Sequence, residues 1–172
     1  MSTIKNIVTA DICDAYEGEI HKNFWVVDPS LQWKSYGSKS TFAGEVVTVK
    51  VFEDNSLVKD ILATPGKGKV LVVDGGGSAR CALVGDQIAA GAAKNGWEGV
   101  LVYGYIRDAK EISAVNIHIK ALGTNPLRSI KKGRGDKDIA VVFGGVAFKP
   151  GQFIYADEDG IVLSSSDVQA KL

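Results

Sequence analysis

The chain has 172 residues, 45% of them hydrophobic, which suits one globular domain over residues 1–172 with a core of its own. Lysine plus arginine equals aspartate plus glutamate at 20 each, so no net field draws the chain to nucleic acid or to an anionic membrane. Cys13 and Cys81 are too few for a disulfide framework, no apolar run reaches the roughly 18 residues of a membrane span, and no secretory leader is read, so a cytoplasmic protein is expected.

In chain order, Thr9 is placed to cap a short helix over Ala10–Tyr16, ended by Gly18. Residues Ile20–Ser35 have too little periodicity to assign. The stretch Gly44–Phe52 alternates, with Val47, Val49 and Val51 on one face and Val46, Thr48, Lys50 and Phe52 on the other, which predicts a half-buried strand with Lys50 facing solvent. Glu53-Asp54-Asn55-Ser56 opens a helix through Leu62, stopped by Pro65-Gly66. The apolar run Lys69–Asp74 reads as a buried strand closed by a tight turn at Gly75-Gly76-Gly77-Ser78. Asp86 suits the cap of a helix over Gln87–Asn95, with Lys94 in its last turn and Gly96 beyond. A second buried strand, Gly99–Tyr103, is expected to break at Gly104.

Ile117–Ala121 is a further short strand, and Lys131–Lys137 a polar loop. Ile139–Phe143 and Val146–Phe148 flank Gly144-Gly145 as one hairpin, and Phe153–Tyr155 and Ile161–Leu163 bracket Asp157-Glu158-Asp159-Gly160 as another. The mixture predicts an α/β fold on a mixed sheet, parallel in the middle and antiparallel toward its C-terminal end.

The most telling spacing is Asp86, twenty residues, then Arg107-Asp108. With one helix and one strand between, about ten helical residues rise roughly 15 Å and five strand residues about 17 Å, so the chain returns to the level it left. Parallel strands would then bring all three side chains to the carboxyl edge, where open α/β sheets place ligands. Asp108 reads either as a ligand of a hard divalent cation or as half of a solvated ion pair. Arg107 reads as a fork for a small acid's carboxylate or as a structural bridge, and Asp86 as a proton shuttle through water or as a cap only.

Other signals are weaker. The glycine run lacks the Gly-Lys-Ser/Thr of a phosphate loop and the third glycine of a dinucleotide fingerprint. His21 and His118 have no zinc spacing and are expected to be solvated or hydrogen-bonded. The two cysteines are expected to be buried. The terminal Ala170-Lys171-Leu172 is similar to a peroxisomal import address, which would matter, for a peroxisome or glycosome, only in a eukaryote.

Four segments together resemble one family: 47–55 (VTVKVFEDN), 70–78 (VLVVDGGGS), 95–99 (NGWEG) and 155–161 (YADEDGI). Through them the chain resembles the regulator of ribonuclease activity A family, which includes the 4-hydroxy-4-methyl-2-oxoglutarate aldolases. The resemblance implies a swivelling β/β/α domain assembled as a homotrimer with sites between subunits. Aldolase members carry the aspartate, the spacer and Arg-Asp followed by an acid, matched here by Asp86, Arg107, Asp108 and Glu111. It further implies that Gly85-Asp86-Gln87-Ile88 cradle a pyruvoyl group with backbone amides, that Arg107 holds substrate and that Asp108 ligates Mg²⁺ or Mn²⁺. The implied activity is metal-dependent lysis of small 2-keto acids through pyruvate enolate. The alternative is a regulator that docks on a ribonuclease without touching RNA. Some aldolase members add a glutamate from a longer C-terminal extension; here the chain ends soon after Leu163, which points to oxaloacetate decarboxylation as the favoured reaction.

Overall fold

Runs of β-branched residues bounded by glycine, and short helices between them, set up twelve strands and four helices in the computed structural model, which describes residues 6–169. The strands are β1 (Phe24–Val26), β2 (Lys34–Tyr36), β3 (Phe42–Lys50), β4 (Lys69–Asp74), β5 (Ala82–Val84), β6 (Gly99–Ile106), β7 (His118–Thr124), β8 (Asp136–Lys137), β9 (Val141–Phe143), β10 (Val146–Phe148), β11 (Phe153–Ala156) and β12 (Ile161–Ser164). The helices are α1 (Thr9–Ala15), α2 (Ser56–Leu62), α3 (Asp86–Lys94) and α4 (Ala109–Ile112). The tripeptide Ala170-Lys171-Leu172 lies outside the described residues.

Ten strands form one mixed sheet with the path β1-β12-β11-β3-β4-β6-β7-β2, β5 pairing with β6 and β8 with β3. The central strands β3, β4, β6 and β7 are parallel, and β11, β12, β1 and β2 pair antiparallel, so the expected division holds. Helices cover one face: Val58 and Leu62 of α2, Ala89 and Ala92 of α3 and Ile112 of α4 pack on Val49, Leu71, Val73, Val100 and Val102. The β9/β10 hairpin covers the other, its Val141, Phe143, Val146 and Phe148 meeting Val46, Val70, Val72 and Leu101. That two-sided cover explains why Val70 through Val73 have no exposed surface at all. Both glycines of the hairpin turn, Gly144 and Gly145, have positive φ (59° and 72°), matching the twist of the strands they join.

Several expectations need correction. The strand expected over 44–52 runs over Phe42–Lys50 and is not half-buried, because the hairpin buries Val46 and the segment leading into it covers Thr48, whose hydroxyl donates to Ile139 O at 2.6 Å; Lys50 is exposed as expected. Gly104 does not end β6, which runs on to Ile106. The glycine sits instead at an irregularity in the β6/β7 register, and a Cβ there would press to 3.2 Å from Leu83 of β5. Thr9 does not cap α1 but is its first residue, with its amide and hydroxyl both donating to the Asp157 carboxylate at 2.7 Å. The unassigned stretch 20–35 holds β1 and the start of β2, two three-residue strands too short for periodicity to reveal. Cys81 is buried and Cys13 half-buried.

His21 is exposed and His118 fully buried. Nε2 of His118 lies 3.1 Å from Ser35 Oγ, Phe42 packs against its ring, and Nδ1 has no partner among the described residues. Burial foremost, and then the neighbouring Lys120 ammonium, push its pKa down from 6.5 to about 4. The unfolded imidazole takes a proton at its ordinary pH while the folded one resists, so this contribution is complete above pH 6.5 and is lost as pH falls toward about 4. In urea titrations, stability on the order of 3 kcal/mol is expected to disappear across that interval, and His118→Leu to flatten the dependence. An unchanged slope in the variant would show that His118 is not its source.

Candidate functional site

The site is built by β5, a strand of three residues that pairs with the last part of β6, Val84 opposite Ile106. The Arg107 amide continues the ladder by donating to Val84 O at 2.9 Å. Gly85-Asp86 and Arg107-Asp108 therefore leave the carboxyl edge of the sheet side by side. Gly85 allows that closeness, because a Cβ there would stand 2.8 Å from Asp108 Oδ2 and 3.4 Å from Arg107 Nε.

Asp86 is not the cap of α3. Gly85 occupies that position and Asp86 is the first helical residue, its amide donating to Asp108 Oδ2 at 3.2 Å. The carboxylate at this helix start thus comes from the next loop, where it also meets the positive end of the helix dipole. Asp108 adopts a left-handed backbone (φ 59°) that aims its side chain back toward α3, a conformation costing an aspartate about 1 kcal/mol. Arg107 Nε stands 3.7 Å from the same oxygen, with both side chains about a third exposed (38% and 34%). At that distance and exposure the pair contributes less than about 1 kcal/mol, so neither group is held there chiefly for stability. Among the described residues the Arg107 guanidinium makes no hydrogen bond, and the amides of Gln87 and Ile88, in the first turn of α3, have no partner.

Gly85, Asp86, Gln87, Ile88, Arg107 and Asp108 all line one open cleft of about 400 Å³. The expected convergence is present. Glu111 is exposed on α4 and does not line the cleft. The glycine turn lies at the same sheet edge but is closed on itself: the Gly76 amide donates to Asp74 Oδ1 at 2.9 Å and the Gly77 amide to Tyr103 O at 3.2 Å, leaving no phosphate cradle.

The opposite wall was not foreseen. Asn55, Lys59, Arg128 and Lys131 face the cleft. Asn55 is 7% exposed; its Nδ2 donates to Leu83 O at 3.1 Å, while Oδ1 is buried without a partner among the described residues. With Arg107 the cleft has four cationic side chains against the two carboxylates Asp86 and Asp108, so it favours a small polyanion. Lys131 belongs to what reads in sequence as an ordinary polar loop, and only the positive excess of 131–134 hinted at more.

A hard divalent cation fits this donor set in one manner. No group of three His, Cys, Asp or Glu side chains gathers among the described residues, which excludes a closed structural zinc site there. A Mg²⁺-type ion bound through one or two carboxylates, with substrate oxygens and waters completing the shell, needs no more than Asp108 and its neighbour Asp86. No helix of the described residues is long and apolar enough to cross a membrane.

A family model described as RraA-like, Aldolase/RraA, matches residues 9–163. The chain is 56% identical over 156 residues to a protein of Dechloromonas aromatica (strain RCB), covering 91% of this chain and 94% of the relative. It is 59% identical over 160 residues to one of Aromatoleum aromaticum, covering 93% and 97%. Both relatives carry the name "Putative 4-hydroxy-4-methyl-2-oxoglutarate aldolase". Among solved structures, an S-adenosylmethionine:2-dimethylmenaquinone methyltransferase from Geobacillus kaustophilus HTA426 is similar at 46% identity and TM-score 0.90, over 96% of this chain and 99% of that one. The RNA-processing inhibitor RraA from Thermus thermophilis is similar at 41% identity and TM-score 0.87, over 94% of both chains.

The close approach at residue 85 gives a direct test of the geometry. Gly85→Ala should fold with its melting temperature within a few degrees of wild type, since position 85 is half-buried and extended. Its methyl would displace the Asp108 carboxylate, and release of the Asp86 amide should appear as faster hydrogen exchange at that amide. Unchanged exchange would refute the contact.

Proposed function

The chain belongs to the RraA-like family, and from that premise we propose that it is a divalent-metal-dependent carbon–carbon lyase of small 2-keto acids. The substrates are 4-hydroxy-4-methyl-2-oxoglutarate, cleaved by retro-aldol reaction, and oxaloacetate, decarboxylated. The observation that carries this reading is the cleft itself, with Arg107, Asp108 and the free amides of α3 on one wall and a cationic wall opposite.

Both reactions break a carbon–carbon bond next to C3 and leave its electron pair as pyruvate enolate, with carbon dioxide departing from oxaloacetate and a second pyruvate from the aldol. The Gln87 and Ile88 amides and the Arg107 guanidinium hold the 2-keto acid end, the guanidinium also lying close to the oxygen on which charge develops. Lys59, Arg128 and Lys131 receive the remote carboxylate of 4-hydroxy-4-methyl-2-oxoglutarate, which stays intact in the second pyruvate. Asp108 would hold a divalent cation, Mg²⁺ or Mn²⁺, which would supply Lewis-acid chemistry for the developing negative charge. Through water, Asp86 takes the C4 hydroxyl proton in the retro-aldol reaction and returns it to C3, and in decarboxylation it relays a solvent proton to C3; either transfer completes pyruvate.

Assembly as a homotrimer with the cleft near a subunit boundary belongs to the same proposal. Phe52, Leu127 and Ile130 are 59%, 61% and 46% exposed. They lie along one edge: Arg80 stands 5.9 Å over the Phe52 ring, the Ile130 amide donates to Glu53 O, and Leu127 O accepts from Ala82. Such a strip is suited to a neighbouring copy.

The second reading, docking on a ribonuclease, is favoured by the 41% identity to an RNA-processing inhibitor. Direct binding of the purified chain to a ribonuclease, retained in Asp108→Ala, would establish it alongside the chemistry.

Pyruvate release from oxaloacetate or 4-hydroxy-4-methyl-2-oxoglutarate is expected, abolished by chelator and by Asp108→Ala. Arg107→Ala is expected to lose about 100-fold or more in kcat/KM, as for removal of a charge-stabilising donor. Full activity in chelator, or in Asp108→Ala, would sink the metal-dependent lyase. In sedimentation equilibrium the expected mass is that of three chains, and a monomer would remove the assembly.

A further inference from the structure

The cationic wall is held in place by a carboxylate that none of the steps above uses. Asp54, immediately before Asn55 and α2, has no exposed surface. Its Oδ1 accepts the Ser56 amide at 2.9 Å and the Ser56 hydroxyl at 2.7 Å. Its Oδ2 accepts the backbone amides of Lys132 at 2.8 Å and Arg134 at 3.2 Å. The intervening Gly133 amide donates to Ser56 Oγ at 3.1 Å, and the Ile130 amide to Glu53 O at 3.0 Å. Segment 130–134 is thus fastened at four amides to segment 53–56, and Lys131 is the residue between the fastened positions that lines the cleft.

The chemistry of the clamp makes it exacting. Burial opposes ionisation of Asp54, but the hydrogen bonds from Ser56, Lys132 and Arg134 outweigh it and hold the carboxyl at about 2. A buried carboxylate satisfied by specific amides tolerates no other arrangement of those amides without leaving charge unsolvated. The loop would otherwise have reason to spread, since Lys131, Lys132 and Arg134 crowd three like charges into four residues.

We propose that Asp54 is a positioning residue: by locking loop 130–134 it sets Lys131, beside Arg128 and Lys59, to receive a second carboxylate, and so makes the cleft selective for dicarboxylate over monocarboxylate 2-keto acids. This rests on the 2-keto acid reading of the site. Asn55, which lines the same cleft, is tied to the same segment by its amide, which donates to Ile130 O at 3.4 Å. Asp54 itself touches no substrate.

Two ligands differing in the second carboxylate separate the possibilities without needing turnover. By calorimetry with Mg²⁺ present, wild type should bind 2-oxoglutarate about tenfold or more tightly than pyruvate, the worth of one charge-assisted contact. Asp54→Asn should erase most of that preference while leaving the pyruvate Kd within about twofold, and hydrogen exchange at the Lys132 and Arg134 amides should rise about tenfold. Lys131→Ala should erase the preference too, and the double variant should be no worse than Lys131→Ala, as expected of residues acting through one contact. For 4-hydroxy-4-methyl-2-oxoglutarate, whose second carboxylate is not lost in the reaction, the loss in Asp54→Asn should fall on KM, with kcat within about threefold. Should Asp54→Asn fail to fold, Ser56→Ala, which removes one donor to Asp54 and the acceptor for Gly133, gives the same comparison in milder form.

Equal weakening of both ligands, a preference that survives in Asp54→Asn, or unaltered exchange at Lys132 and Arg134 would overturn the positioning role. Ligand binding with the predicted preference but no pyruvate from either oxaloacetate or 4-hydroxy-4-methyl-2-oxoglutarate would remove the lyase and leave the positioning role standing. No preference in wild type would overturn the role whatever the turnover.

Discussion

One backbone hydrogen bond, from the Arg107 amide to Val84 O, decides where the chemistry-bearing residues meet. It exists because β5 adds three residues to the end of β6, so two segments more than twenty residues apart leave the sheet as neighbours. Gly85 then permits the Asp108 carboxylate to come within hydrogen-bonding range of the α3 amide end. A side chain at 85 would force these groups apart, and the left-handed conformation of Asp108 is tolerated because the surrounding contacts fix it. The arrangement spends little on stability: the Arg107–Asp108 pair is long and partly solvated, and the Gln87 and Ile88 amides of α3 stay open to a ligand.

The two walls of the cleft differ in how they are held. The α3 wall is positioned by sheet pairing, and its groups remain partly exposed and available. Across the cleft, a buried carboxylate fixes the wall: Asp54 organises the start of α2 and the basic loop at once. Charge in the cleft accordingly consists of four cationic residues and two carboxylates. Two buried polar centres thus bear on this protein in different ways. Asp54 is fully satisfied and stays ionised, whereas His118, near the start of β7, is only half satisfied and stays neutral. The first supports an arrangement of charge, and the second makes the folded state sensitive to acid.

The parallel centre of the sheet was legible in the residues because its strands are continuous apolar runs, Lys69–Asp74 and Gly99 onward, and helix α3 between them has a clear stop at Asn95-Gly96. Glycine pairs marked the hairpin turn correctly. Short strands were not legible: β1, β2, β5 and β8 have two or three residues each, and their conformation comes from the partner strand rather than from any local pattern. Gly104 misled for a related reason, since a glycine that admits a neighbouring strand looks, in one dimension, like a glycine that ends its own.

By itself the sequence determined which elements form the sheet centre, and it singled out Asp86, Arg107 and Asp108 through a spacing that one helix and one strand can close. Their contact partners came only with the tertiary structure. It moved Asp86 from cap to first helical residue, gave the cap-side carboxylate to Asp108, and brought Asn55, Lys59, Arg128 and Lys131 across from distant segments. The physical reason is that periodicity and turn chemistry act over a few residues, whereas a cleft wall is assembled by hydrogen bonds such as those of Asp54 to Lys132 and Arg134, whose partners lie 78 and 80 positions away.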